Sequence, residues 1–195
     1  MYAMDLPKRK PARLREYDYS TPGAYFVTVC THEKRCSLST ISVGAGALDG
    51  PSIQLTEQGK IVEKYILSTE QIPGMHVDKY VIMPNHIHLI LVVDGNSGPS
   101  RAPAPTNGNS GPSRAPAPTN AFEGDVSSKT PANAKIPRAI GVMKRLINKE
   151  AGENIFQRSY HEHVIRNEAD YRRIWDYIDT NPAKWTEDCY YMRGQ

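Results

Sequence analysis

Hydrophobic positions in this chain fall into short dense runs and into spaced stripes. Ala24-Tyr25-Phe26-Val27-Thr28-Val29-Cys30-Thr31 is aromatic and β-branched, and Pro22-Gly23 marks a turn before it, so it reads as a strand. A charged turn, His32 to Arg35, follows, and a second strand is expected around Cys36 to Leu38. Gly44 to Gly50 form a small glycine-rich loop. Thr56 is an N-cap type of residue, and Ile61, Val62, Tyr65 and Ile66 recur at helical spacing, which predicts a helix from about Glu57 to Thr69 ended by Pro73-Gly74. His76 to Met83 reads as a strand that turns at Pro84-Asn85 into the apolar run His86 to Val93. This pair is expected to be a hairpin at the sheet centre.

The pattern then collapses. Asn96-Ser97-Gly98-Pro99-Ser100-Arg101-Ala102-Pro103-Ala104-Pro105-Thr106-Asn107 recurs residue for residue from Asn109 to Asn120, and neither copy has an aromatic, Leu, Ile or Val. Such a segment cannot bury enough apolar surface to offset its ordering entropy, so residues 94–134 are expected to be a disordered, flexible insertion. Helical spacing returns with Ile140, Met143, Leu146 and Ile147, which predicts a helix from Ile136 to about Gly152. Lys144, Arg145 and Lys149 lie on its other side, either as a solvated face or along a phosphate backbone. Ile155 to Arg166 reads as a loop with a short extended piece. Asn167 is the N-cap of a last helix, Glu168 to Thr180, with Tyr171, Ile174, Trp175 and Ile178 as its core stripe and Pro182 as its stop.

Composition adds bounds. The chain has 195 residues and a net charge of +3, which suits one domain, residues 1–195, and says little by itself about nucleic acid. The distribution says more: Lys8, Arg9, Lys10, Arg13 and Arg15 crowd residues 1–16 into a basic arm, which fits a solvated tail as well as a phosphate contact. The odd number of cysteines, Cys30, Cys36 and Cys189, fits neither a disulfide framework nor a zinc knuckle and points to a reducing, cytoplasmic setting. No signal peptide is expected, and no run of about 18 apolar residues could span a bilayer.

The chemistry centres on Asn85-His86-Ile87-His88. Side chains two apart on a strand share a face, roughly 7 Å apart along the chain, so both imidazoles project together while Ile87 faces away. Most His-x-His pairs on strands are partly exposed and hold nothing. A buried pair is unfavourable without a bridge, for which a divalent metal ion is the obvious candidate. On the last helix, Tyr177 and Asn181 are four residues apart and lie one above the other. Tyr177 falls at the border of the buried stripe, where a tyrosine is ordinarily a packing residue with its hydroxyl in water.

The order His-hydrophobe-His, basic helix, His163-Val164-Ile165-Arg166-Asn167, then Tyr177-Ile178-Asp179-Thr180-Asn181-Pro182 resembles the single-tyrosine HUH transposases, most closely their REP-associated tyrosine transposase branch. Gly23 to Thr28 and Met83 to Ile90 carry the rest of the resemblance. It implies an α+β fold, an antiparallel sheet with helices packed on one face, related to the ferredoxin-like and RRM-like arrangement of HUH nucleases. It implies cleavage and rejoining of single-stranded or hairpin DNA through a 5′-phosphotyrosine. In that reading Tyr177 is the nucleophile, and His86, His88 and Asn181 bind Mg²⁺ or Mn²⁺. Lys8, Arg9, Lys10, Arg13, Arg15, Lys144, Arg145, His163 and Arg166 are candidate DNA contacts. His161, Glu162 and His163 form a further potential ligand cluster, with His163 lining the DNA site and His161 exposed. The resemblance allows a monomer or a homodimer. Two other readings share the constellation: a DNA-hairpin binder without turnover, and a replication-initiation nickase. Deleting Gly95 to Asn120 is expected to leave folding intact, with an unchanged melting temperature as the check.

Overall fold

The computed structural model describes residues 17–42, 50–95 and 134–191. The basic arm, most of the glycine-rich loop and both copies of the duplicated segment lie outside the described residues. Six strands and three α-helices follow in the order β1 (Gly23–Cys30), β2 (Ser39–Ser42), β3 (Ser52–Leu55), α1 (Glu57–Ser68), β4 (Met75–Ile82), β5 (His86–Val93), α2 (Lys135–Ala151), β6 (His161–Ile165) and α3 (Glu168–Thr180). None of these helices is long and apolar enough to cross a membrane.

Four strands form an antiparallel sheet in the order β4-β5-β1-β6, and β2 pairs with β3 separately. The His-bearing strand is therefore central, but its hairpin partner β4 is an edge. The centre is completed by β1, whose apolar run makes it fit for burial on both faces. The second strand begins at Ser39, not around Cys36 to Leu38. Glu33 and Lys34 adopt positive φ of 55° and 54°, and the chain bends until the Leu38 N–H meets the Pro84 carbonyl at 3.0 Å.

The sheet alternation sorts side chains onto two faces. Tyr25, Val27 and Val29 of β1 and Ile87, Leu89 and Leu91 of β5 pack against Val62 and Ile66 of α1 and Ile136, Ile140, Met143 and Ile147 of α2. The opposite face sets Phe26, Val81 and Ile90 against Ile174 and Ile178 of α3, with Ile41 and Ile53 of the small sheet. Helices thus cover both faces, not one. The reason is register: β6 is hydrogen-bonded to β1 at the edge, and Asn167 caps α3 as the chain folds back over the face that bears the histidines.

β1 starts and β5 ends at the same edge of the sheet, with Gly23 paired to Val93. There α2 is tied to the turn before β1, through Ile136 N–H to the Tyr19 carbonyl at 3.4 Å and Lys135 N–H to Ser20 Oγ at 3.1 Å. His86, paired to Cys30, lies at the other end of these two central strands.

The N-cap of α1 is as expected: Thr56 Oγ1 accepts from the Gly59 N–H at 3.0 Å. The close approach has a cost elsewhere, since a Cβ added at Gly59 would lie 2.0 Å from the Leu38 carbonyl oxygen. Ordinarily Gly→Ala inside a helix stabilises by up to about 1 kcal/mol. Here Gly59→Ala is expected to destabilise by about 1–3 kcal/mol through overpacking, read as a lower urea midpoint.

Candidate active site and metal centre

Strand alternation places His86, His88 and Ile90 on the α3 face of the central strand and Ile87 on the other. Both imidazoles are buried, with 0% and 1% exposure. Their Nε2 atoms are 3.0 Å apart. His86 Nδ1 is 2.9 Å from Asn85 Oδ1, and His88 Nδ1 is 2.8 Å from Thr28 Oγ1, its cross-strand neighbour. Loss of water holds both rings neutral: burial, with Lys34 nearby, lowers the His86 pKa to about 3. Burial and the adjacent His86 push that of His88 well below its usual value, with Asp188 opposing.

Helix α3 brings the phenol to this pair. Asn167 Oδ1 accepts from the Asp170 N–H at 2.9 Å and starts the helix. Two polar links fasten it to β4. Tyr171 donates to Asp78, which sits where the β4 register shifts at a bulge, and Lys79 reaches Asp179 at 2.6 Å. The Lys79 ammonium also lies 4.4 Å from the Trp175 ring centre. Tyr177 then projects past Phe26, and its hydroxyl is 3.3 Å from His88 Nε2. The residue is 39% exposed, a border position as the helical wheel predicts. Burial, then the carboxylate of Asp188, pushes the Tyr177 pKa up to about 12, so the resting nucleophile candidate is a neutral phenol.

The chain does not stop at Pro182. That residue opens a 3₁₀ segment, Asn181–Glu187, because a proline at a first helical turn lacks only an N–H that would be unpaired anyway. The segment delivers Asp188, which sequence reading missed. Its Oδ2 accepts from Asn181 Nδ2 at 2.8 Å and lies 3.4 Å from the Tyr177 hydroxyl, while Oδ1 accepts from the Tyr190 N–H at 2.7 Å. Ligand atoms of His86, His88 and Asp188 all lie within 4.8 Å of one another, a group that can hold a metal ion. Asn181 is buried, and its Oδ1 has no hydrogen-bond partner among the described residues. Two imidazole nitrogens and a carboxylate form a donor set that fits a divalent cation.

The other predicted contacts are scattered. Lys144 lies on α2, across the sheet from Tyr177, and its half-buried ammonium donates to the carbonyls of Gln157 and of Arg158, the latter at 3.0 Å. Arg145 is exposed on the same helix, and both line a cavity of about 760 Å³. His163 is held by Asp170 at 2.6 Å, and Arg166 is exposed at the end of β6. His161 is exposed and paired across from Thr28, and it forms no ligand group with His163. Beside Tyr177 a second cavity, about 570 Å³, is lined by Arg173, Asp176, Thr180, Asn181, Lys184 and Asp188 among others.

No protein-family model matches the chain. An uncharacterized protein of Haemophilus influenzae is 27% identical over 198 residues, covering 98% of this chain and 97% of that protein. Among solved structures, a REP-associated tyrosine transposase bound to a REP hairpin is 22% identical, with a TM-score of 0.53 over 89% of this chain and 73% of that one. A transposase candidate from Deinococcus radiodurans is 13% identical, with a TM-score of 0.41 over 86% of this chain and 95% of that one. The first structure establishes the architecture: this chain has the fold of a REP-associated tyrosine transposase, an antiparallel α+β sheet flanked by helices.

The buried imidazoles make stability pH-dependent. Below the ordinary histidine value of 6.5 the unfolded chain takes up protons that folded His86 refuses until about pH 3. The unfolded state then binds more protons, so stability falls as pH drops through this window and is unaffected by the pair above it. Urea midpoints are expected to fall from pH 7 to pH 4, and to fall less steeply in His86→Gln.

Proposed function

We propose that this protein is a metal-dependent single-stranded DNA endonuclease and strand transferase of the single-tyrosine HUH type, acting in transposition of hairpin-bearing elements. One observation carries the reading: a phenol hydroxyl 3.3 Å from the inner nitrogen of a buried histidine pair. Structural tyrosines have no need of that address, whereas a nucleophile that must meet a phosphate beside a cation does.

In the forward step Tyr177 Oη bonds to the scissile phosphorus, and the bond from phosphorus to the 3′-oxygen breaks. The phenol proton passes to solvent and the departing 3′-oxygen takes up a proton from solvent, while Asp188 Oδ2, 3.4 Å from the hydroxyl, holds the phenol toward the histidine pair. The products are a 5′-phosphotyrosine and a free 3′-hydroxyl. Attack by a 3′-hydroxyl on that ester reverses the step and frees the phenol, so rejoining needs no nucleotide cofactor. His86 and His88 would hold Mg²⁺ or Mn²⁺ together with the Asp188 carboxylate and the unpartnered Asn181 Oδ1. A bound cation supplies stabilisation of charge on the phosphate oxygens.

Substrate reaches the phenol through the cavity beside it, where Arg173 and Lys184 are the cationic lining residues. Arg145, Arg166 and the basic arm, Lys8, Arg9, Lys10, Arg13 and Arg15, are proposed as backbone contacts that set affinity without reading sequence. The hairpin held by the similar solved transposase supports a hairpin as partner here. Soluble, cytoplasmic action as a monomer or homodimer fits this reading.

Tyr177→Phe is expected to abolish a denaturation-resistant adduct with a 5′-labelled hairpin oligonucleotide while leaving its Kd unchanged. An adduct of wild-type yield would remove Tyr177 from its role, and no adduct from the wild type would favour a hairpin binder without turnover. His86→Ala is expected to lose Mn²⁺-stimulated nicking, measured across a Mn²⁺ titration.

A further inference from the structure

Asn85 uses its backbone carbonyl and both atoms of its side-chain amide. Its carbonyl accepts from the Thr31 N–H at 2.9 Å and lies 3.0 Å from Thr31 Oγ1. Its Nδ2 donates to the Tyr190 carbonyl at 2.9 Å and lies 3.3 Å from that of Lys34. Its Oδ1 faces His86 Nδ1 at 2.9 Å, and the residue is wholly buried. The two carbonyls decide the orientation of the amide, because only an NH₂ group can serve both. Oδ1 is then an acceptor only, and His86 Nδ1 must carry the ring proton. The lone pair of His86 Nε2 is left pointing at His88. Thr28 imposes no such choice on His88, since a hydroxyl can donate to Nδ1 or accept from it.

We infer that Asn85 is a positioning residue that locks His86 in its Nδ1–H tautomer, aims the Nε2 lone pair into the site, and fastens the Tyr190 segment against the same ring. Orienting a ligand imidazole through its other nitrogen is a general way of raising metal affinity. Here the same amide also ties down the chain two residues beyond Asp188, so the imidazole and the carboxylate are set by one side chain. The purpose assigned to the lock rests on the proposed metal-dependent chemistry; the lock itself does not.

The test is two-bond ¹⁵N–¹H correlation of the histidine rings in the metal-free full chain at pH 7.5, with Mn²⁺ binding followed separately by electron paramagnetic resonance. Wild-type His86 is expected to show the Nδ1–H pattern, and an Nε2–H pattern would overturn the inference outright. Asn85→Leu removes the acceptor; it is expected to lose the tautomer preference and to weaken Mn²⁺ binding roughly 10–100-fold. An unchanged tautomer in that variant would also overturn it. Asn85→Asp keeps the acceptor and loses the donors, so it is expected to keep His86 as Nδ1–H. Loss of that form in the aspartate variant counts against the inference even should the leucine variant fail to fold. A wild type that shows the Nδ1–H form but binds no Mn²⁺ would sink the metal reading and leave the tautomer lock standing.

Discussion

Two neutral imidazoles, held 3.0 Å apart on the central strand of a sheet, set the terms for what surrounds them. Neither can carry a charge there without a counter-ion, because burial depresses both pKa values. Their outer nitrogens are satisfied by Asn85 and Thr28, which leaves the inner pair as the reactive edge. The C-terminal segment answers with one carboxylate, Asp188, and one buried amide oxygen of Asn181 that nothing else among the described residues uses. The donor atoms that could hold a cation are thus already brought together in the folded chain.

The two faces of the sheet divide the work. The α1/α2 face holds the larger apolar core, with six buried residues on α2 alone. Helix α3 buries only Ile174 and Ile178 and is fixed instead by polar links to β4 at Asp78 and Lys79. Those links occupy the edge strand and leave the middle of the face free for Tyr177 to reach His88. α3 thus relies more on polar links and less on apolar burial than α2 does.

Much of this was legible in the sequence because it depends on period. Alternation along β5 put His86 and His88 on one face, and Thr56 and Asn167 announced the starts of α1 and α3. The helical wheel placed Tyr177 at a border. What depended on long-range geometry was not legible. Nothing local to Pro182 shows that a 3₁₀ segment will carry Asp188 back to the histidines. Nor could the sequence tell that Lys144 would turn its ammonium onto two backbone carbonyls, since a lysine on a basic helix face reads as solvated. The second face escaped notice because apolar stripes on α2 and α3 look alike, and which face each helix covers is decided by long-range packing.

The anchoring of α2 beside the turn that precedes β1 bears on how this chain could acquire its perfect thirteen-residue duplication, Gly95 to Asn107 copied as Gly108 to Asn120. Residues 95 and 134 both lie at that edge: Gly95 approaches Pro22, and the Ala134–Ile136 stretch meets Tyr19 and Ser20. A flexible connection between two such neighbouring points costs only about 0.6 kcal/mol more for each doubling of its length. His86 lies at the other end of β5 from those anchor points. A change in the length of that connection therefore need not move His86, His88 or Tyr177 relative to one another.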